Sequence, residues 1–202
     1  VTLERMMDII AEFESSGRFD AWNPTDKGRG ISFGKWQFNQ RGGLHGLLVR
    51  MHQSDTINFL ECLGSATPLL LDLRSLKEMK LNEPGWKFRF QQAAKHPVFQ
   101  NCQLEESVES YAKPAAKLCK EHGLNSWLWL ALVTDSCIQY GVGGCKSLLE
   151  KALTNPGKDG VMDTFAELAD DNQYNRRRKL LVHPELADRS AFTWDNEKWG
   201  AL

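Results

Sequence analysis

FESSGRFDAWNPTDKGRGISFGKWQFN, from Phe13 to Asn39, is the stretch on which the reading of this chain turns. It opens at Glu14 on the end of an apolar helical pattern, passes through a loop holding Asp20 and Asp26, and closes on a glycine-punctuated aromatic segment, Ile31 to Asn39. Upstream, Leu3, Met7, Ile10 and Glu14 recur at steps of four, three and four, so they share one helix face, with Thr2 placed to cap that helix and Gly17 to stop it. Apolar neighbours and the negative end of the helix dipole both disfavour an ionised Glu14, which is the direction a general acid needs. Two carboxylates from different elements, meeting across a groove, are what cleavage of a glycosidic bond requires.

Outward from this stretch the chain reads as helices. Asn23-Pro24 signals a turn, and Ile31 to Asn39 a short irregular strand or hairpin whose Trp36 and Phe38 either pack inward or line the groove. Gly42-Gly43 precedes an amphipathic helix marked by Leu44, Leu47, Leu48 and Met51. Further helices run from Asp55 to His122, with boundaries at Asn82-Glu83-Pro84-Gly85 and Lys95-His96-Pro97. Asn125 to Tyr140 is apolar nearly all round, so this helix belongs at the centre, and Gly141, Gly143 and Gly144 are expected to end it. Asp135 lies inside it, and a buried acid needs a partner, expected to be an arginine. Arg176, Arg177, Arg178 and Lys179 follow one another late in the chain. Such a run is ordinarily a solvated face, but successive helical residues point in different directions, which leaves room for one arginine to turn inward.

Composition narrows the function classes. The chain has 202 residues, 42% of them hydrophobic, enough for one domain or two small lobes around a cleft. A formal charge of −1 supplies no general attraction to nucleic acid or an anionic membrane, so neither is expected as a partner. No apolar run approaches the roughly 20 residues of a membrane span. The five histidines show no metal-binding spacing, so neither a metal nor another cofactor is expected. The five cysteines form no CxxC pair; they read as small buried hydrophobes or, in an oxidising compartment, as one disulfide with free thiols left over. The chain begins at Val1 with no basic-then-apolar leader, and so reads as a fragment of a longer protein.

Two regions carry a resemblance, the stretch from Glu14 to Asn39 and the helix segment from Thr134 to Gly141. Glu14-Ser15-Ser16-Gly17 followed by Gly34-Lys35-Trp36-Gln37-Phe38-Asn39 is similar to goose-type lysozymes and lytic transglycosylases, and Asp26-Lys27-Gly28-Arg29-Gly30-Ile31-Ser32 resembles more closely the Asp-GRG-x-Thr segment of the inverting chitosanases. Thr134-Asp135-Ser136-Cys137-Ile138-Gln139-Tyr140-Gly141 is similar to a chitosanase helix. Lys27 is an extra residue within the motif, and Ser32 stands where those enzymes carry threonine. The resemblance implies a mainly α, lysozyme-like fold of two helical lobes over residues 1–202, with a small β-hairpin lining the groove. It implies Glu14 as acid and Asp26 as base, with Asp20 the competing base on the same loop. Arg29, Ser32, Gln37, Asn39 and Tyr140 would meet substrate. Asp135, paired with Arg177 or Arg178, would form a network behind Glu14, while Arg176, if it faces solvent, would tolerate alanine. The whole also resembles the C-terminal effector domain of a VgrG spike protein of type VI secretion. That likeness implies a muramidase that reaches the periplasm of rival bacteria without a signal peptide, cuts the peptidoglycan glycan strand, and is blocked in the producer by an immunity protein occluding the groove. A chitosanase, a lytic transglycosylase that would not need Asp26, and a glycan-binding module without turnover are the alternatives.

Overall fold

The computed structural model describes residues 1–26, 28–169 and 171–186, without the side chains of 171–173. Lys27, the extra residue of the loop motif, lies outside the described residues. The chain is mainly helical with one small antiparallel sheet, the expected class. It divides into two compact units, one of Ala11–Ser107 and one of Val1–Ile10 with Val108 onward.

In the unit from Ala11, helix α1 (Leu3–Ser15) supplies its last turn. Thr2 caps its start, accepting a hydrogen bond from the Arg5 amide at 3.2 Å. Three two-residue strands follow: β1 (Trp22–Asn23), β2 (Ser32–Phe33) and β3 (Phe38–Asn39), in the order β1-β2-β3. Trp22 pairs with Phe33, and Ser32 with Asn39. The sequence pattern foresees the β2–β3 hairpin but not β1, which is too short to show alternation. Phe33 and Trp22 anchor the sheet on one ring, Phe90, at centroid distances of 4.9 and 5.4 Å. Trp36 and Phe38 are buried, so both pack and neither lines a groove.

Helices α2 (Leu44–Ser54), α3 (Thr56–Leu63), α4 (Thr67–Leu71), α5 (Leu73–Glu78), α6 (Pro84–Ala93) and α7 (Pro97–Ser107) complete this unit. Asp55 and Asp72 cap α3 and α5 by accepting from the amides of Asn58 and Ser75. The apolar stripe of α2 is buried, and α2 packs on α7.

In the other unit a π turn, Val108–Ala112, leads into α8 (Lys113–Glu121). Pro114 has no N–H, and in a regular helix its ring would press on the Ser110 carbonyl; the wider turn just before it relieves that clash. Then come α9 (Trp127–Thr154), α10 (Val161–Glu167) and α11 (Asp171–Leu181). The α9 segment Leu130 to Ile138 is buried, as its all-round apolarity requires. The expected stop at the glycines is corrected to a kink. Gly141 alone leaves the helical region (φ 71°, ψ 165°), and the helix resumes through Gly143 and Gly144. A Cβ at Gly144 would lie 2.9 Å from the Tyr140 Cβ, so the resumed turn needs glycine there. Four cysteines are buried, Cys62 is half-buried, and all five are free thiols. Burial pushes the Cys119 thiol up to about 12, which leaves it unreactive.

Asp135 is fully buried, as expected, but its partner is not the expected one. It forms an ion pair with Arg176, whose side chain is only 10% exposed. Arg177 is also fully buried. It donates to the Phe165 carbonyl at 2.8 Å, and its guanidinium lies 4.9 and 5.3 Å from the ring centroids of Phe165 and Tyr140. Burial pushes its pKa down, and the nearby Asp135 charge works against that shift. Arg178 turns outward to Asp163 at 3.2 Å. Successive residues on α11 rotate by about 100°, so two of the three arginines face inward and the third faces water.

Candidate active site

The end of α1 and the Asp26 loop are tied to the same small sheet. Past Glu14 the helix closes on two left-handed residues, Ser16 (φ 55°) and Gly17 (φ 71°). The Ser15 hydroxyl donates to the Lys35 carbonyl at 2.8 Å, which binds the helix end to the β2–β3 turn. From the other side of that turn, the buried Gln103 of α7 accepts from the Lys35 amide at 2.8 Å and donates to the Phe19 carbonyl at 3.1 Å. Gly34 is needed here, because a Cβ would lie 2.4 Å from the Gln103 Oε1. Glu14 itself is half-buried.

The Asp26 loop closes on itself. The Asp26 amide donates to the Gly30 carbonyl at 2.8 Å, and the Arg29 amide donates to the Asp26 carbonyl at 2.6 Å. Ser32, at the start of β2, donates its hydroxyl to Asp26 Oδ2 at 2.7 Å. That bond fixes the plane of the carboxylate. Asp20 differs: its carboxylate takes an ion pair from Arg18 at 3.1 Å near the surface. These two residues line a shallow pocket of 420 Å³ with Gln91 and Lys95.

Six of the expected site residues, Glu14, Asp26, Arg29, Ser32, Gln37 and Asn39, lie in the unit from Ala11 to Ser107. Ser32, expected to meet substrate, is only 1% exposed, and its hydroxyl donates to Asp26. Gln37 folds back to donate to the Gly34 carbonyl at 3.0 Å, Asn39 sits half-buried on β3, and Arg29 is exposed. Tyr140, Asp135, Arg177 and Arg178 belong to the other unit. Sequence reasoning misses Ser15, Gln40 and Gln103, the polar side chains that hold the segment in place. Their contacts are to backbone groups far along the chain, which no spacing rule reveals. Among the described residues no group of three His, Cys, Asp or Glu could hold a metal ion, and no helix is long and apolar enough to cross a membrane.

Solved structures share this architecture. A family 46 chitosanase of Gynuella sunshinyii, in complex with chitotetraose, superposes with a TM-score of 0.67 at 22% identity over 98% of this chain and 84% of its own. The native chitosanase of Bacillus subtilis MY002 gives 0.66 at 18% identity over 88% and 83%. The chitosanase OU01, crystallised with substrate, gives 0.62 at 21% identity over 93% and 81%. The fold is thus the lysozyme-like one of glycoside hydrolases. Residues 9–195 match the model of glycosyl hydrolase family 46, and the chain belongs to that family. No curated protein sequence matches it.

Proposed function

We propose that this glycoside hydrolase cleaves a β-linked amino-sugar polymer with inversion. Glu14 protonates the leaving oxygen, and Asp26 activates a water on the opposite face of the ring. The observation that carries this reading is the Ser32–Asp26 bond at 2.7 Å, which orients the carboxylate of a closed loop on the sheet that also holds the end of the Glu14 helix. Asp26→Asn is expected to lower turnover about 10²–10⁴-fold, the usual contribution of a general base. Asp20→Asn, which alters an exposed ion pair, should leave it near wild type. Equal losses in steady-state assays, or the reverse order, would move the base to Asp20.

Chitosan is the first reading of the polymer, because the structural neighbours are chitosanases. One observation favours a second reading, peptidoglycan. The stretch from Phe13 to Asn39 carries four cations, Arg18, Lys27, Arg29 and Lys35, against Glu14, Asp20 and Asp26. That balance suits a glycan bearing muramic acid carboxylates better than one bearing glucosamine ammonium groups. Under this reading the likeness to spike-borne effectors adds delivery into a target periplasm and an immunity protein over the site, which a pulldown scored for inhibition of hydrolysis would test. Separate digests of chitosan and peptidoglycan, with the new ends identified by mass spectrometry, decide the polymer. NMR of the earliest products should show inverted anomers, since inverting carboxylates stand roughly 6.5–9.5 Å apart with a water between them. Retained anomers would overturn inversion, and 1,6-anhydro ends would establish a transglycosylase.

A further inference from the structure

Gln40 is a buried amide in the middle of the loop architecture, 4% exposed, directly after β3. Its Oε1 accepts from the Ile31 amide at 3.2 Å. Its Nε2 donates to the carbonyls of Leu76 and Met79 at 2.7 and 2.8 Å, at the C-terminal end of α5. Its backbone amide also donates to the Ile31 carbonyl at 2.9 Å. Ile31 stands between the two residues that define Asp26: Gly30, whose carbonyl takes the Asp26 amide, and Ser32, whose hydroxyl holds the Asp26 carboxylate. The contact is close. Gly30 has φ +85°, and a Cβ there would lie 2.3 Å from Gln40 Oε1, so the loop backbone rests on the amide itself.

From this chain of contacts we infer that Gln40 is the positioning residue for Asp26, transferring the rigidity of α5 to the loop that carries the base. The inference rests on the proposed role of Asp26. Gln40 touches no reacting atom. Without its amide, the Ile31 N–H and the Met79 carbonyl lose this side-chain partner, and the Gly30–Ser32 backbone loses its link to α5 and can shift, carrying Asp26 with it. A displacement of about 1 Å at a catalytic group costs on the order of 10²-fold.

Gln40→Met keeps the length of the side chain and removes the amide. It is expected to lower kcat about 10²-fold with KM little changed, and sodium azide should restore turnover. Azide carries no proton and needs no base: its nitrogen bonds to the anomeric carbon as the glycosidic C–O bond breaks, and the leaving oxygen takes its proton from Glu14. The product is a glycosyl azide of inverted configuration, seen by mass spectrometry and NMR. A merely structural defect would not respond to azide. Asp26→Asn is measured alongside as the reference for rescue. A folded Gln40→Met protein with wild-type kcat, or one whose loss azide fails to restore while it restores Asp26→Asn, overturns the inference. If Gln40→Met does not melt cooperatively, Gln40→Asn decides the matter by the same readouts. It retains the amide but is too short to span Ile31 and α5 together, so a smaller, azide-restored loss is expected; unchanged kcat or an unrestored loss overturns it. Failure of the wild-type protein to release sugar from chitosan and peptidoglycan, or of Asp26→Asn to lose activity, would instead remove the proposed function.

Discussion

Glu14→Gln should leave the melting temperature near wild type and reduce hydrolysis about 10²–10⁴-fold, the span removed with a general acid. The swap keeps shape and volume, so the last turn of α1 and the Ser15–Lys35 tie should survive it. What disappears is a proton that the amide cannot release to a leaving oxygen. The deficit should shrink for substrates with a good leaving group, which departs without protonation, and should persist on the natural polymer. Activity on that polymer close to wild type would remove Glu14 from the mechanism. Equal losses on both substrate types would point to binding instead of proton transfer.

The second large effect is on stability. Asp135→Asn leaves Arg176 and Arg177 with their charges among apolar side chains and removes the carboxylate that compensates them. Breaking a buried pair from one side costs about 3–5 kcal/mol, and for a chain of this size each kcal/mol lowers Tm by about 2–4 °C. Arg176→Ala should also destabilise strongly, since Arg176 does not face solvent, the condition for its expected tolerance, and its loss strands the buried acid. Arg178→Ala removes only the half-exposed contact with Asp163 and should cost about 0–1 kcal/mol. Thermal melts of the three variants test the assignment. An Asp135→Asn protein that melts like wild type would show that the carboxylate does not sustain the buried arginines.

The features legible in the sequence are those set by local periodicity and local turn chemistry. Leu3, Met7, Ile10 and Glu14 marked the α1 face, Thr2 its cap and Gly17 its end, because helix geometry repeats every few residues. The all-round apolarity of Leu128 to Ile138 placed α9 in the core, and an acid inside such a helix had to find a cation. The Asp26–Ser32 unit was legible only through its resemblance to the chitosanase segment, and its bonds close within seven residues. What only the tertiary structure decided involves partners far along the chain. Three adjacent arginines are equivalent in composition, and only the seating of α11 against α9 determines that Arg176 meets Asp135 while Arg178 meets water. The two-residue β1 exists because Trp22 and Phe33 share the Phe90 ring. Gln40 and Gln103 look in the sequence like ordinary polar residues, and their roles follow from burial, which compels each amide to satisfy backbone groups brought to it from tens of residues away.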